Sequence, residues 1–234
     1  MSSRRKDFSR RIKTFLKDVR GPWAYSFTSY AQEGEGAVLT RMFDKKSNGF
    51  YVDIGCHHPH RFSNSYAFYQ RGWRGLCVDP LPGVKLRFEQ WRPRDITLEM
   101  GVSAQPGELL YCMFNEPALN TFSDALAEQR NGQKNWRLID ERRIAAQPLA
   151  VLLSEHMPPD VAEIDFISVD VEGLDLEVLR SNDWSRWRPK IVVAECFYDA
   201  LVDWMQDPVI AYMGKQNYFV FPKTVNSVFF LRSN

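Results

Sequence analysis

The sequence lacks the features that mark several classes of protein. No apolar run among its 234 residues approaches the roughly 20 needed to span a bilayer. No uninterrupted apolar stretch follows the N-terminal charges, which argues against a signal peptide. Internal repeats and low-complexity tracts are absent. The formal net charge is only +1, so we expect no general attraction to nucleic acid.

Cysteines are few and widely spaced. Cys56, Cys77, Cys112 and Cys196 form no C-x-x-C pair, and three of them lie in or beside predicted buried strands. This spacing favours small core residues in a reducing cytosol over zinc ligands or disulfides. We therefore expect a cytoplasmic protein.

Charge is distributed unevenly along the chain. Residues 1–20 carry eight Arg or Lys and two Asp, which leaves a net charge of −5 on residues 21–234. The same segment has an apolar stripe at helical spacing, so we predict a basic amphipathic helix. Residues 4–20 then either contact an anionic membrane surface or pack on the domain or on a twin subunit in a homodimer. The stripe consists of Phe8, Ile12, Phe15, Leu16 and Val19.

Strand and helix patterns alternate through residues 21–234, which we predict to form a single domain. Predicted strands cover residues 49–55, 75–79, 95–100, 164–170, 190–195, 218–221 and 227–231. Predicted helices cover residues 32–43, 64–70, 82–91, 149–156, 174–180 and 197–216. Alternation with continuously apolar strands indicates an α/β fold, doubly wound around a mostly parallel seven-stranded sheet. The last two strands flank a short turn and predict an antiparallel C-terminal edge.

One segment, at about residues 104–148, interrupts this alternation. Residues 107–115 are predicted as an extra strand, and the polar residues 125–144 have no clear pattern. We expect an inserted β/α segment that builds the pocket for the acceptor substrate.

The first two predicted strands end in residues that suit an adenosine cofactor. Gly55 permits a tight turn after the first strand, and Asp79 at the end of the second has the type and spacing to bind ribose hydroxyls. A dinucleotide site would need G-x-G-x-x-G, but its second and third glycine positions hold His57 and His60, which would obstruct phosphates. No G-x-x-x-x-G-K-[ST] loop is present either. A cofactor without phosphate, S-adenosylmethionine, fits better than a nicotinamide dinucleotide.

Seven stretches together resemble a known family, the FkbM-type S-adenosylmethionine-dependent methyltransferases. They occur in family order between residues 29 and 195, and Cys56 is a small departure from the family pattern. The resemblance implies a Rossmann-like class I methyltransferase fold. The stretches are SYAQEGE at 29–35, FYVDIGCHHP at 50–59, FSNS at 62–65, RGWRGLCVDP at 71–80, NTFS at 120–123, IDFISVDVEG at 164–173 and PKIVVAE at 189–195.

The resemblance also implies a set of cofactor contacts. Asp53 and Gly55 would line the methionine moiety, and Asp79 would bind the ribose. The remaining implied contacts are Gln32, Glu35, Asn64 and Ser103.

Acidic residues mark the predicted ends of the fourth and fifth strands. A hydroxyl acceptor is almost fully protonated at neutral pH, so methyl transfer to it needs a base, a metal ion or both. Asp170, Glu172 and Glu195 are candidate catalytic residues, and Asp170 and Glu195 suit Mg²⁺ or Mn²⁺. Alternatively, Glu172 caps the following helix and Glu195 pairs with an arginine. Of the three histidines after the first strand, His58 is the candidate base or ligand.

These observations predict an O-methyltransferase that acts on a sugar hydroxyl of a nucleotide sugar, a glycan or a glycosylated metabolite, with a role in polysaccharide biosynthesis. A small-molecule or lipid hydroxyl is the alternative acceptor, and a cofactor-binding module without turnover is the alternative function. Amino-group methyltransferases of DNA or protein commonly carry Asn/Asp-Pro-Pro-Tyr where this chain has Asp170-Val-Glu-Gly173. We therefore expect no nucleic-acid partner.

Overall fold

The structure, a computed structural model, describes residue 21 and residues 26–196 and 207–233. The predicted helix at 1–20 and residues 197–206 of another predicted helix lie outside this part of the chain. Membrane contact or subunit packing by residues 4–20 therefore stays a prediction. Within the described ranges, no helix is both long and apolar enough to cross a bilayer.

Seven strands form the main sheet, in agreement with the predicted mostly parallel architecture. They are β1 (Phe50–Ile54), β2 (Arg74–Asp79), β3 (Ile96–Glu99), β7 (Phe166–Val169), β8 (Ile191–Glu195), β9 (Tyr218–Lys223) and β10 (Ser227–Arg232). Their order is β3-β2-β1-β7-β8-β10-β9, and the first five are mutually parallel. β10 runs antiparallel to both β8 and β9. The closing hairpin thus forms the predicted antiparallel edge, with β9 outermost.

Helices cover both faces of this sheet. They are α1 (Glu35–Met42), α2 (Tyr66–Gln70), α3 (Val84–Trp91), α5 (Leu149–His156), α6 (Asp175–Arg180) and α7 (Pro208–Lys215). Strand β1 is buried throughout: Val52 and Ile54 pack in one core cluster with α5 and α6, and Tyr51 packs in another with α1, α2 and α3. Burial on both faces explains why the strands have continuous apolar runs.

The predicted insertion forms a second, three-stranded sheet. Its strands are β4 (Gly101–Val102), β5 (Gly107–Phe114) and β6 (Leu138–Gln147), in the order β4-β6-β5. Between β5 and β6 lie a 3-10 turn (Pro117–Leu119) and helix α4 (Asp124–Arg130). The polar stretch at 125–144 is therefore part helix and part strand. Most residues of β6 are partly or fully exposed, which explains the missing apolar pattern.

The order of the main sheet reverses between β1 and β7. β1 pairs with β2 on one side and with β7 on the other, and Ile54 lies beside both Val78 and Val169. Ligands of open α/β sheets bind at such a reversal, beyond the carboxyl ends of the strands. The residues that follow β1, β2, β7 and β8 therefore meet at one edge of the sheet.

Candidate active site

A cleft lies at this edge, between the strand ends and the insertion; we call it the central cleft. Its floor and sides come from the loops after β1, β2, β3 and β7, and its other wall comes from residues 111–122 of the insertion. The strand side contributes Ile54, Gly55, His57, Val78, Asp79, Pro80, Met100, Val102, Asp170, Val171 and Glu172. The insertion contributes Tyr111, Pro117, Ala118, Asn120, Thr121 and Phe122, and Gln32, Phe62 and Leu174 complete the lining.

Gly55 makes the turn that opens the central cleft. Its φ is +80°, and a Cβ at this position would lie 1.7 Å from the carbonyl oxygen of Asp170. Its N–H donates to the Val78 carbonyl at 2.8 Å, which holds the turn against β2. Only glycine fits this close approach, because any side chain would collide with the backbone after β7.

Asp79 lies at the same edge, as the last residue of β2. Its two carboxylate oxygens accept the N–H groups of His57 at 2.7 Å and Leu81 at 2.8 Å. Burial raises the pKa of Asp79 to about 6, and the two N–H donors partly offset that effect. Each oxygen keeps a free lone pair, so this carboxylate orders two turns and can still accept a hydroxyl of a ligand.

Gln32, Gly55 and Asp79 are the predicted cofactor contacts that line the central cleft. Asp53 and Asn64 are not among its lining residues. The Asp53 carboxylate accepts the hydroxyl of Ser65, and the Asn64 amide donates to the Ser168 hydroxyl at 2.9 Å. Both side chains stabilise the β1 and β7 strands and the α2 entry behind the cleft.

Glu35 and Ser103 are also not among the lining residues. Gly34, with φ +92°, starts α1 three residues later than the predicted helix at 32–43, so Gln32 stands in the preceding loop. The Glu35 carboxylate accepts the Thr224 hydroxyl at 2.8 Å and ties α1 to the C-terminal hairpin. The Ser103 hydroxyl donates to the Gln105 carbonyl at 2.7 Å.

Asp170, Glu172 and Glu195 converge at the carboxyl ends of β7 and β8, as the sequence predicted for strand ends of a parallel sheet. One carboxylate oxygen of each lies within 4.8 Å of the other two. Burial, followed by repulsion from neighbouring carboxylates, raises the pKa of Asp170 and of Glu195 well above the ordinary range. Oε2 of Glu195 is buried with no hydrogen-bond partner in the described part of the chain. This acid cluster is short of positive charge and has the donor set of a hard divalent cation.

The insertion supplies a cation to the acid cluster. The Arg130 guanidinium, at the end of α4, pairs with the Glu172 carboxylate. It also donates to the Leu119 carbonyl at 2.9 Å, and the Thr121 hydroxyl donates to the Glu172 carbonyl at 2.8 Å. Burial raises the pKa of Glu172, and Arg130 partly offsets the rise. Glu172 therefore joins the insertion to β7 by an ion pair and a backbone contact.

Asp175 belongs to the same region and was missed by the sequence analysis. It is the first residue of α6, is only 5% exposed, and leaves Oδ1 without a partner among the described residues. Burial, with a contribution from Glu172, raises its pKa to about 7. An acid five residues after Asp170, at the start of a predicted helix, was the available signal. Arg130 carried no such signal, and Thr121 had only its place in the family-like stretch at 120–123, because only the folded insertion brings them here.

The structure separates the histidines after β1. Nδ1 of His58 accepts the N–H groups of His60 and Arg61, each at 3.1 Å, and His58 is not a lining residue of the central cleft. A role for His58 as base or ligand would have to use its Nε2. His57, to which the sequence analysis gave no catalytic role, lines the central cleft instead.

Solved structures of methyltransferases resemble this chain distantly. A TehB-like S-adenosylmethionine-dependent methyltransferase from Corynebacterium glutamicum has 11% identity and a TM-score of 0.43 over 96% of this chain and 100% of that one. A putative RNA methyltransferase from Pyrococcus horikoshii has 8% identity and a TM-score of 0.45 over 86% of this chain and 84% of that one. A precorrin-6Y C5,15-methyltransferase from Geobacter metallireducens has 9% identity and a TM-score of 0.40 over 85% of this chain and 87% of that one. Values this low transfer neither an activity nor a substrate.

Sequence comparison is more decisive. No curated protein matches the chain at a significant level. The model of the methyltransferase FkbM domain matches residues 53–220, well over half of the chain, from within β1 to within β9. This match covers Gly55, Asp79, the acid cluster and the insertion, and it confirms the prediction of a methyltransferase enzyme. The chain belongs to the FkbM methyltransferase family.

Proposed function

We propose that the protein transfers a methyl group from S-adenosylmethionine to a sugar hydroxyl of a nucleotide sugar, a glycan or a glycosylated metabolite. One observation carries the proposal: a single cleft has Gly55 and Asp79 on one side and Asp170 and Glu172 on the other. The first pair suits an adenosine cofactor. The second suits the activation of a hydroxyl.

The β1–β2 side fits a methyl donor that contains ribose but no phosphate. Gly55 lets the ligand approach the backbone closely, and Asp79 has free lone pairs for ribose hydroxyls. His57 replaces a glycine that a pyrophosphate would require. When bound, S-adenosylmethionine supplies an activated methyl group on a sulfonium. The side chains then have to orient the acceptor and take up its proton.

The acid cluster supplies the groups for that proton transfer. A carboxylate can act as general base when its pKa is raised toward that of the group it deprotonates. Asp170 has such a pKa and lines the central cleft, so we assign it the role of base, supported by Glu172 and Glu195. His58 is the secondary candidate.

A divalent cation is the second part of the mechanism that we propose. Asp170 and Glu195, with Glu172 nearby, would hold Mg²⁺ or Mn²⁺ through hard carboxylate oxygens. Such an ion, when bound, would lower the pKa of the acceptor hydroxyl. Prolonged chelation should then abolish activity, and added Mg²⁺ or Mn²⁺ should restore it. Activity that is indifferent to chelation would contradict the metal and leave the carboxylate as an unaided base.

The polar lining near the acid cluster favours a sugar as acceptor. Asn120, Thr121 and Glu172 add hydrogen-bonding groups to this side of the central cleft, which suits a substrate with several hydroxyls. Nucleotide sugars are made in the cytoplasm, the location that the reduced cysteines support. Phe62 and Leu174 also line the cleft and favour the alternative acceptor, a small-molecule or lipid hydroxyl, for which residues 4–20 would provide membrane contact.

The test is to incubate the protein with S-adenosylmethionine and a panel of nucleotide sugars and lipid hydroxyl acceptors, and to measure S-adenosylhomocysteine. Product with a sugar acceptor supports the proposal. Product with lipids only supports the alternative acceptor. Calorimetric binding of S-adenosylmethionine without product from any acceptor supports a binding module, and no binding at all contradicts both.

A further inference from the structure

His57 is a cleft residue whose side chain makes no ligand contact in the mechanism proposed above. It follows the Gly55 turn and lines the central cleft beside Asp79. Its Nε2 is buried and has no hydrogen-bond partner among the residues that the structure describes. Buried polar atoms are almost always paired, and an unpaired one in a cleft points to a ligand atom.

The backbone of His57 is held in a conformation that few residues adopt. Its φ is +49°, in the left-handed region, which costs free energy for any residue other than glycine, although His, Asn and Asp adopt it more often than other residues do. The N–H of His57 donates to Asp79 at 2.7 Å, which anchors this conformation. Strain of this kind persists where the surrounding structure over-determines it, and it clusters in binding sites.

The ring of His57 is also held in place. It stacks on Phe62 with ring centroids 6.5 Å apart and planes 22° apart. The Arg61 guanidinium covers the Phe62 ring at 4.3 Å from its centroid, and Arg61 pairs with Glu116 of the insertion at 2.9 Å. The imidazole is therefore ordered before a ligand arrives, and its hydrogen bond would cost little conformational entropy.

The charge state of the imidazole indicates the kind of ligand atom. Burial, with a smaller effect of Arg61, lowers the pKa of His57 to about 4, so the ring is neutral at physiological pH. A neutral imidazole presents either a donor or an acceptor at Nε2. A hydroxyl can serve as partner to either form, whereas a phosphate is bound best by a cation.

We infer that Nε2 of His57 hydrogen-bonds a ribose hydroxyl of the bound cofactor, beside Asp79. The inference rests on the proposed function, because that function places the ribose at Asp79. The loop after β1 would then contact the ribose through the side chain of His57, in addition to the close backbone approach that the glycine turn allows.

The test compares two ligands by calorimetry: S-adenosylhomocysteine and its analogue without the two ribose hydroxyls. The His57→Ala variant should bind S-adenosylhomocysteine about tenfold more weakly than the wild type, the usual effect of one hydrogen bond. For the dideoxy analogue, the variant and the wild type should differ by less than about twofold. His57→Gly, which relieves the backbone strain, should behave in the same way.

His60→Ala is the matched control, because His60 belongs to the same loop but packs edge-on against Trp91 outside the cleft lining. It should bind both ligands as the wild type does. Equal weakening of both ligands by His57→Ala and His57→Gly would show a structural role and overturn the inference, as would no weakening of either. Failure of the wild type to bind S-adenosylhomocysteine would instead overturn the proposed function itself.

Discussion

The carboxylates on the two sides of the central cleft have different hydrogen-bond partners and different pKa shifts. On the β1–β2 side, both oxygens of Asp79 accept backbone N–H groups and the pKa of Asp79 is about 6. On the β7–β8 side, burial and then neighbouring carboxylates raise the pKa values of Asp170 and Glu195, and Oε2 of Glu195 lacks a partner in the described chain. Two backbone N–H groups stabilise the Asp79 carboxylate, whereas the carboxylates of Asp170 and Glu195 need protons or a cation to offset their mutual repulsion. In the mechanism that we propose, the first side holds the uncharged ribose of the cofactor and the second exchanges a proton.

The largest effect is expected from a substitution that changes only the β7–β8 side of the central cleft. Asp170→Asn removes the proposed base, so turnover should fall by at least about a thousandfold. The affinity for S-adenosylhomocysteine should stay within about threefold, because the donor side is intact. Rate assays and calorimetry check the two values, with Asp160→Asn, at an exposed ion pair with Arg74, as the control. Normal turnover in Asp170→Asn would refute the division of roles.

Gly55 follows β1 and approaches the backbone after β7, so a side chain at this position should disturb the structure of both sides of the cleft. In Gly55→Ala, the new Cβ would meet the Asp170 carbonyl in a strained left-handed backbone. We expect a loss of about 3 kcal/mol of unfolding free energy, or roughly 6–12 °C in Tm. Gly107→Ala, where a Cβ meets nothing within 4 Å, should melt within about 2 °C of the wild type. Equal melting temperatures for the two variants would contradict the close approach.

The pH dependence of cofactor binding tests the β1–β2 side separately from the β7–β8 side. The pKa of Asp79 is raised in the folded protein, to about 6, so its carboxylate becomes protonated as the pH falls below that value. Protonation removes acceptor lone pairs, and the affinity for S-adenosylhomocysteine should fall about tenfold between pH 7 and pH 5.

The Asp79→Asn variant separates this titration from others in the protein. It should bind S-adenosylhomocysteine about as weakly at pH 7 as the wild type does at pH 5, with little change between the two pH values. Calorimetry at both values makes the comparison. A fall of the same size in Asp79→Asn would assign the pH dependence to another group.

The smallest expected effect concerns the two ion pairs that join the insertion to the strand ends. Arg130→Gln removes the cation beside Glu172, so the pKa of Glu172 should rise further and the acid limb of the rate profile should move to higher pH. We expect about a threefold loss of rate at pH 7. Arg61→Gln, which breaks the more exposed pair with Glu116, should change the rate by less than about twofold. Identical profiles for the two variants would show that Arg130 only holds the insertion.

The strands of the main sheet and the positions of Gly55, Asp79 and Asp170 at their ends could be predicted from the sequence. Each stands at the end of an apolar run, and the ends of parallel strands share one edge of a sheet. Whether a histidine faces the cleft could not be predicted in this way. The sequence analysis favoured His58, which precedes Pro59 in a stretch that resembles the family, whereas the fold places His57, with its positive φ, in the lining.

The amino-acid sequence by itself determined the α/β class, the parallel sheet and the family, because these depend on local periodicity and on motifs a few residues long. Only the tertiary structure decided which polar groups share the central cleft. Arg130 meets Glu172 across 42 residues of chain, and Asp53, Glu35 and Ser103 form hydrogen bonds with residues that do not line the cleft. Such pairings depend on how the insertion folds back over the strand ends and on which side chains burial leaves without water, and neither is encoded in local spacing.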